Sequence, residues 1–394
     1  MKIRFATAIR DFSKKKGGAE IYLVDLCTRM AREDFEVHVF TEHWEDEPPE
    51  VHLHRIKTIQ FPKSLRLLTF AIRATKEIEN GNYDVSLGIG HTLKADIFQP
   101  RGGVHWAWFW RSLRACDHPV PWTIKFLGRI FSPKQWVSGW IEGAPYRDHC
   151  LPYLIAVSDM IKHDMIHWYK IPADRITVDY NGVDMERFHP RNRRYREEIR
   201  ERHAIGDEFV ILFVSNNFRM KGLNYLIRAL GKIKKEVHRS FKLLVLGRDR
   251  KGPYFRLAKK LGVSEEIVFA GLTNEPEKYY GAADLLVHPT FYDACSRAVL
   301  EAMASGLPVI TTTSNGASGL LTKSGVEWVI EDPRDINAFS DKILLFLNRE
   351  KEEKEAFSLR EQIEPYSFDR NFSGMVEAIN FLMKQKKGAR NELE

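Results

Sequence analysis

Three short stretches of this chain combine the residue types that handle phosphorylated molecules. The most informative is His288-Pro289-Thr290-Phe291-Tyr292-Asp293-Ala294-Cys295-Ser296, followed by a helical pattern that carries Glu301. A loop feeding a helix presents backbone N–H groups, here at Ala294, Cys295 and Ser296. Those donors suit a diphosphate, and a carboxylate two turns further on could reach a pair of ribose hydroxyls. The plainer alternative makes Asp293 a helix N-cap and Glu301 a surface residue. The second stretch is Phe218-Arg219-Met220-Lys221-Gly222, whose two cations follow an apolar run; the plainer reading is a loop of solvated charges. The third is Gly17-Gly18, just before a helical pattern, where the absence of side chains lets backbone approach a ligand at a positive helix end. Such a pair is more often an ordinary turn, and the dinucleotide fingerprint G-x-G-x-x-G is not matched.

The elements that must position these residues alternate between strand and helix. Lys2 to Ala8, Phe35 to Thr41, Val51 to Ile56, Tyr83 to Gly88 and Leu154 to Val157 read as strands, and Ala19 to Ala31 reads as a helix. The pattern restarts near residue 208. Strands are expected at Phe209 to Ser215, Lys242 to Gly247, Ile267 to Ala270, Leu285 to His288 and Pro308 to Thr312. Helices are expected at Gly222 to Lys235, Tyr254 to Leu261, Glu275 to Ala283 and Ser296 to Ser305. Such alternation means parallel strands with crossover helices, and the uninterrupted apolar strands imply a sheet covered on both faces. Asn181 to Arg202 is polar and charge-rich, which suits a connector. The resulting expectation is an α/β protein of two Rossmann-like domains facing across a cleft, residues 1–175 and 205–370, with a helix and tail at 371–394.

Composition narrows the function classes. With 394 residues, 44% of them hydrophobic, the chain can bury a large core, which excludes wholesale disorder. The four cysteines, Cys27, Cys116, Cys150 and Cys295, are far apart and form no C-x-x-C pair, so neither a cysteine zinc site nor a disulfide framework is expected. The start, Met1-Lys2-Ile3-Arg4, leads straight into a strand without an apolar leader, and the uncharged run Ala302 to Thr322 contains Pro308 and three glycines, unlike a membrane span. A cytoplasmic location is the expectation. The net charge of +7 makes an anionic partner plausible. From Arg101 to Ile141 there are six basic residues, Arg101, Arg111, Arg114, Lys125, Arg129 and Lys134, against the single acid Asp117, together with six of the nine tryptophans. That mixture suits an anionic membrane surface; the alternative packs the tryptophans in the core.

The spacing Asp293-x7-Glu301 resembles the E-x7-E motif of the retaining GT-B glycosyltransferases of family 4, with aspartate in place of the first glutamate. The segment ADLLVHPTFYDACSRAVLEAMASGLPVITT (283–312) looks like that family's nucleotide-sugar segment, and ITVDYNGVDMERFHP (176–190) resembles its interdomain segment. TEHWED (41–46), FRMKGL (218–223) and LAKKLGV (257–263) are similar to stretches of the lipopolysaccharide core glucosyltransferases in particular. The resemblance implies roles. Gly17 and Gly18 would approach the donor phosphate and sugar, and Arg219 and Lys221 would neutralise the departing diphosphate. Asp293 would contact the transferred sugar, Glu301 the ribose, and His105 the region of donor sugar and acceptor. Gly319 stands where relatives often carry glutamate.

The expectation by resemblance is a retaining hexosyltransferase. It would use a UDP-sugar, UDP-glucose by preference, on a lipopolysaccharide core or related glycolipid or oligosaccharide acceptor, peripherally bound to the inner face of the cytoplasmic membrane. No D-x-D motif is present, so no metal is expected on the diphosphate and no cofactor besides the donor. Two further readings are a polyanion or nucleic-acid binder, for which no recognisable module is present, and a nucleotide-sugar epimerase of related fold.

Overall fold

The computed structural model describes the chain except residues 1, 16, 117–118, 148–150, 238, 323–327, 349–352 and 392–394. Asp117 and Cys150 thus lie outside the described residues. The chain divides into two compact units, Met1–Asp179 with Asn371–Glu394, and Tyr180–Arg370.

In the first unit seven strands pair in the order Val51–Arg55, Phe35–Thr41, Ile3–Ala8, Val85–Gly88, Ile97–Phe98, Tyr153–Ala156, Ile176–Val178, every pair parallel. In chain order this is 3-2-1-4-5-6-7, with the doubly wound reversal between the first and fourth strands. Phe5, Val37, Val39, Val85 and Leu87 are buried, as an interior sheet between helix layers requires. The helix Gly18–Ala31 follows the first strand and buries Leu23, Val24, Leu26, Cys27 and Met30. Residues 371–394, expected as a helix and tail, belong with this unit. The helix Phe368–Asn391 buries Phe372, Met375 and Ile379, with the Arg29 guanidinium over the Phe372 ring at 4.3 Å. Asn371 Nδ2 donates to Asp179 Oδ2 at 2.8 Å, and Lys386 Nζ lies 2.6 Å from Asp96 Oδ1.

The tryptophan-rich segment is helical: His105–Arg114, Pro119–Ile130 and Pro133–Gly143. Most of its expected surface cations have internal partners. Arg101 is buried against the Tyr22 ring and donates to Gln99 Oε1 at 2.8 Å. Arg111 makes a two-pronged bond to buried Asp164, at 2.6 and 2.9 Å. Lys125 donates to the Ser112 carbonyl at 2.8 Å, and Arg129 bonds the Phe109 carbonyl and stacks over Trp108 at 4.7 Å. Conversely, Trp110, Trp122, Ile124, Leu127, Phe131, Trp136 and Trp140 are exposed, so the aromatic part of the expectation is at the surface while most of the cationic part is not.

In the second unit six strands pair in the order Ile267–Gly271, Phe241–Leu246, Phe209–Val214, Leu285–His288, Val309–Thr312, Val329–Ile330, all parallel. This is again 3-2-1-4-5-6. The helix Leu223–Ile233 packs on this sheet: Leu223, Leu226, Ile227, Leu230 and Ile233 form one stripe and are buried with Phe209, Ile211 and Phe213. Each such side chain contributes roughly 1.5–3 kcal/mol on burial.

Candidate active site

In a doubly wound sheet the loops after the first and fourth strands diverge, and their carboxyl ends frame the ligand crevice. In the second unit those loops are residues 215–222 and 289–296, which contain two of the three stretches singled out from sequence. Phe218 and Met220 are buried and anchor the first loop, while Arg219 is exposed and Lys221 half-buried. Met220 O accepts from Phe291 N at 2.9 Å and thereby ties the two loops together. Gly222 is required at the junction: its φ is +74°, and a Cβ there would stand 2.1 Å from the Pro289 carbonyl oxygen.

Lys221 and Asp293 meet at this point. Lys221 Nζ lies 2.5 Å from Asp293 Oδ2 and donates to the Tyr292 carbonyl at 3.1 Å, so among the described residues two of its three ammonium donors have partners. Burial alone would raise the Asp293 carboxyl, but Lys221, His288 and Ser296 together hold it below its ordinary value. His288, at the end of the fourth strand, is fully buried with Nδ1 unpartnered; burial and the adjacent Lys221 push it down to about 3, so it is neutral. Arg219 is exposed and makes no ion pair among the described residues.

The donor set at the following helix differs from the expectation. The N-cap of Arg297–Ala304 is Ser296 rather than Asp293, and Ser296 N already donates to Asn315 Oδ1 at 3.2 Å. The N–H groups left without a helical partner are therefore those of the first turn, Arg297 to Val299. Asn315, fully buried, also accepts from Ala317 N at 3.1 Å and donates to Thr311 Oγ1 at 3.0 Å, while Asn181 Nδ2 donates to the Cys295 carbonyl at 2.9 Å. Asn181 and Asn315 thus clamp the loop 293–296, and nothing in their local sequence announces it. Glu301 is no surface residue: it accepts from Tyr280 OH at 2.8 Å, Arg297 Nε lies 3.5 Å away, and burial raises its carboxyl above the ordinary range. The structure therefore brings Lys221 to Asp293 and seats Glu301 on a separate Tyr280–Arg297 contact. Gly319 lies in the helix Ser318–Thr322.

Gly17, Gly18 and His105 belong to the first unit. Gly17 is the N-cap of Gly18–Ala31, both glycines are exposed, and the helix start follows the first strand as expected. Its φ of −103° does not demand glycine; a Cβ would come within 2.7 Å of the flexible Glu20 carboxylate. His105 opens the helix His105–Arg114 among Trp106 and Trp108, and burial pushes it down to about 4, with Nε2 unpartnered. Its backbone N–H donates to Glu142 at 2.8 Å, and Tyr169 OH donates to the same carboxylate at 2.7 Å. Desolvation raises Glu142 to about 7 against those two bonds. His91, after the fourth strand of this unit, is a residue the sequence did not flag; burial and the Arg10 charge hold it down to about 4.

The family model described as Glycosyl transferases group 1 matches residues 195–364, and that described as Glycosyltransferase Family 4 matches residues 16–187. An uncharacterized glycosyltransferase of Methanocaldococcus jannaschii is 30% identical over 356 residues, covering 83% of this chain and 85% of that protein. The lipopolysaccharide glucosyltransferase WaaG of Escherichia coli is 29% identical over 179 residues, 45% of this chain and 46% of that one. Among solved structures, WaaG superposes with a TM-score of 0.77 at 21% identity, covering 96% of this chain and 99% of WaaG. HepE of Anabaena in complex with UDP and glucose gives 0.68 at 16% identity, covering 96% and 99%. With both sheets wound in the same order and both halves matched, the chain belongs to the group 1, family 4 glycosyltransferases of GT-B fold.

Proposed function

We propose that the protein transfers a hexose from a UDP-sugar, UDP-glucose by preference, to a glycolipid or oligosaccharide acceptor of the lipopolysaccharide-core type, with retention of configuration. The observation that carries the donor half is the Lys221–Asp293 pair at the reversal point of the second sheet, with one ammonium donor unused among the described residues and a helix N-terminus at the end of the same loop. That donor, Arg219 and the N–H groups of the first helical turn would stabilise the diphosphate as it leaves, an electrostatic contribution that grows as charge develops. The oxygen freed on the leaving phosphate would take the proton of the attacking acceptor hydroxyl on the same face of the sugar. The anomeric bond to phosphate breaks as the bond to the acceptor forms, and no enzyme carboxylate becomes covalently attached. Asp293, oriented by Lys221, would contact sugar hydroxyls, and Glu301 the ribose. Solved complexes of HepE with UDP and with UDP-glucose support the choice of donor.

The first unit would receive the acceptor, with Gly17, Gly18 and His105 near the sugar. Among the described residues no helix is long and apolar enough to cross a membrane. The exposed Trp110, Trp122, Phe131, Trp136 and Trp140 support peripheral attachment to the inner face of the cytoplasmic membrane, driven by aromatic burial more than by charge. The deciding experiment is UDP release across a panel of nucleotide sugars with and without detergent-solubilised glycolipid. Acceptor-dependent release from UDP-glucose, with the α-linkage kept in the product, is the expected outcome. Release from ADP- or GDP-sugars alone, or product of inverted configuration, overturns the proposal.

A further inference from the structure

The edge of the first sheet carries a side-chain cluster that sugar transfer does not use. His38 and His52 are direct neighbours across the parallel strands Phe35–Thr41 and Val51–Arg55, and Glu36 precedes His38 by two residues, on the same face. His38 Nε2 lies 2.9 Å from Glu36 Oε1, and the His38 and His52 rings stack with centroids 4.8 Å apart. One ligand atom from each of Glu36, His38 and His52 falls within 4.8 Å of the other two. Behind them His54 Nε2 sits 2.8 Å from His38 Nδ1.

We propose that Glu36, His38 and His52 bind one divalent cation of the zinc class, with His54 as the outer partner that orients His38. Two imidazoles and one carboxylate are a donor set suited to Zn²⁺ or Co²⁺, whereas Mg²⁺ and Ca²⁺ favour all-oxygen shells. At bond lengths of about 2.0–2.1 Å a tetrahedral site needs ligand atoms roughly 3.4 Å apart, so the set closes by small side-chain rotations. Glu36 and His52 can make them: the Glu36 side chain is 39% exposed and His52 is exposed, while His38 is held by the sheet. In the metal-free chain a proton bridges His38 Nε2 and Glu36 at 2.9 Å; a bound cation would take its place, and His38 would then donate from Nδ1 to His54 Nε2. The opposing charge is Arg4, whose Nε lies 3.7 Å from Glu36 Oε1. Arg4 is independently anchored to the Gly81 and Asn82 carbonyls, at 3.1 Å each, and over the Tyr83 ring, so Glu36 can leave it. Bound metal would brace the outermost strand to its neighbour, a role independent of the transferase reading.

The test uses the tag-free full chain, stripped with chelator and titrated with Zn²⁺ against a chromophoric competitor, then with Co²⁺ to read the visible absorption of a tetrahedral site. One equivalent is expected to bind at micromolar Kd or tighter and to raise the thermal midpoint. His52→Ala and Glu36→Gln, both at the surface, should each lower affinity at least about tenfold and His54→Gln by a similar factor, with His43→Ala, an exposed histidine outside the cluster, unchanged. Absence of stoichiometric binding, or binding that survives His52→Ala, overturns the site.

Discussion

Removing the two members of the Lys221–Asp293 pair, singly and together, tests whether the centre of the second unit is held by mutual charge. At 2.5 Å and an effective dielectric of about 20 the gross attraction is roughly 6–7 kcal/mol, most of it offset by dehydrating both groups. The two side chains retain 18% and 22% exposure, which eases the penalty on whichever charge is left alone. Lys221→Met strands a carboxylate and Asp293→Asn strands an ammonium, so each should cost about 2–4 kcal/mol, below the range for fully buried pairs. The double variant leaves neither charge and should cost about 1–2 kcal/mol, a coupling of roughly 2 kcal/mol or more. The whole chain has two units and no single unfolding free energy, so local opening is the quantity to measure. Hydrogen exchange with mass spectrometry on peptides covering 209–222 and 285–305 reports it. Single costs that add up to the double within about 0.5 kcal/mol would refute the idea that the pair acts as a unit.

Glu301→Gln should weaken UDP binding by about 1.5–3 kcal/mol in calorimetry, through loss of a charged acceptor, while Asp293→Asn should impair turnover with UDP affinity nearly kept. Equal loss of affinity in both would refute the proposed division of roles. Glu142 is raised from 4.5 to about 7, so between those values the folded chain holds a proton that the unfolded chain has released. Its contribution is full below pH 4.5 and is lost as pH rises through about 7, a change of about 3 kcal/mol. Glu142→Gln does not titrate, so its thermal midpoint should gain on wild type from pH 5 to pH 8; a constant difference would mean that the carboxyl titrates normally. Gly222→Ala places a Cβ 2.1 Å from the Pro289 carbonyl at a φ of +74° and should cost about 2 kcal/mol or more, visible as a lowered thermal midpoint.

The apolar strands were legible because a strand buried on both faces has no polar alternation to confuse it; Phe209–Val214 and Leu285–His288 fall where their residues indicate. Ile97–Phe98 and Val329–Ile330 have two residues each, too few for any periodicity, and only neighbouring strands define them. Lys221 and Asp293 could be singled out because loop, charge and helix start coincide in sequence. Asn315 could not: its value lies in reaching Ser296 N across 19 residues of chain, which is a property of the folded sheet. Arg111 and Arg129 misled for a related reason, since a guanidinium that will pair with a distant Asp164 or lie on Trp108 looks the same in sequence as one that will face water.

The course of the chain through the two units bears on how it can be made. Because Asn371–Glu394 complete the first unit, Tyr180–Arg370 is in effect an insertion within it. A ribosome therefore finishes most of the second unit before it makes the helix Phe368–Asn391, and the surface destined for Phe372, Met375 and Ile379 waits uncovered until that helix is made. Expression of residues 180–370 alone yields a contiguous unit, whereas stopping synthesis near residue 370 leaves the other half permanently short of a helix, so chaperone demand and proteolysis of nascent chains should concentrate on the half that begins first.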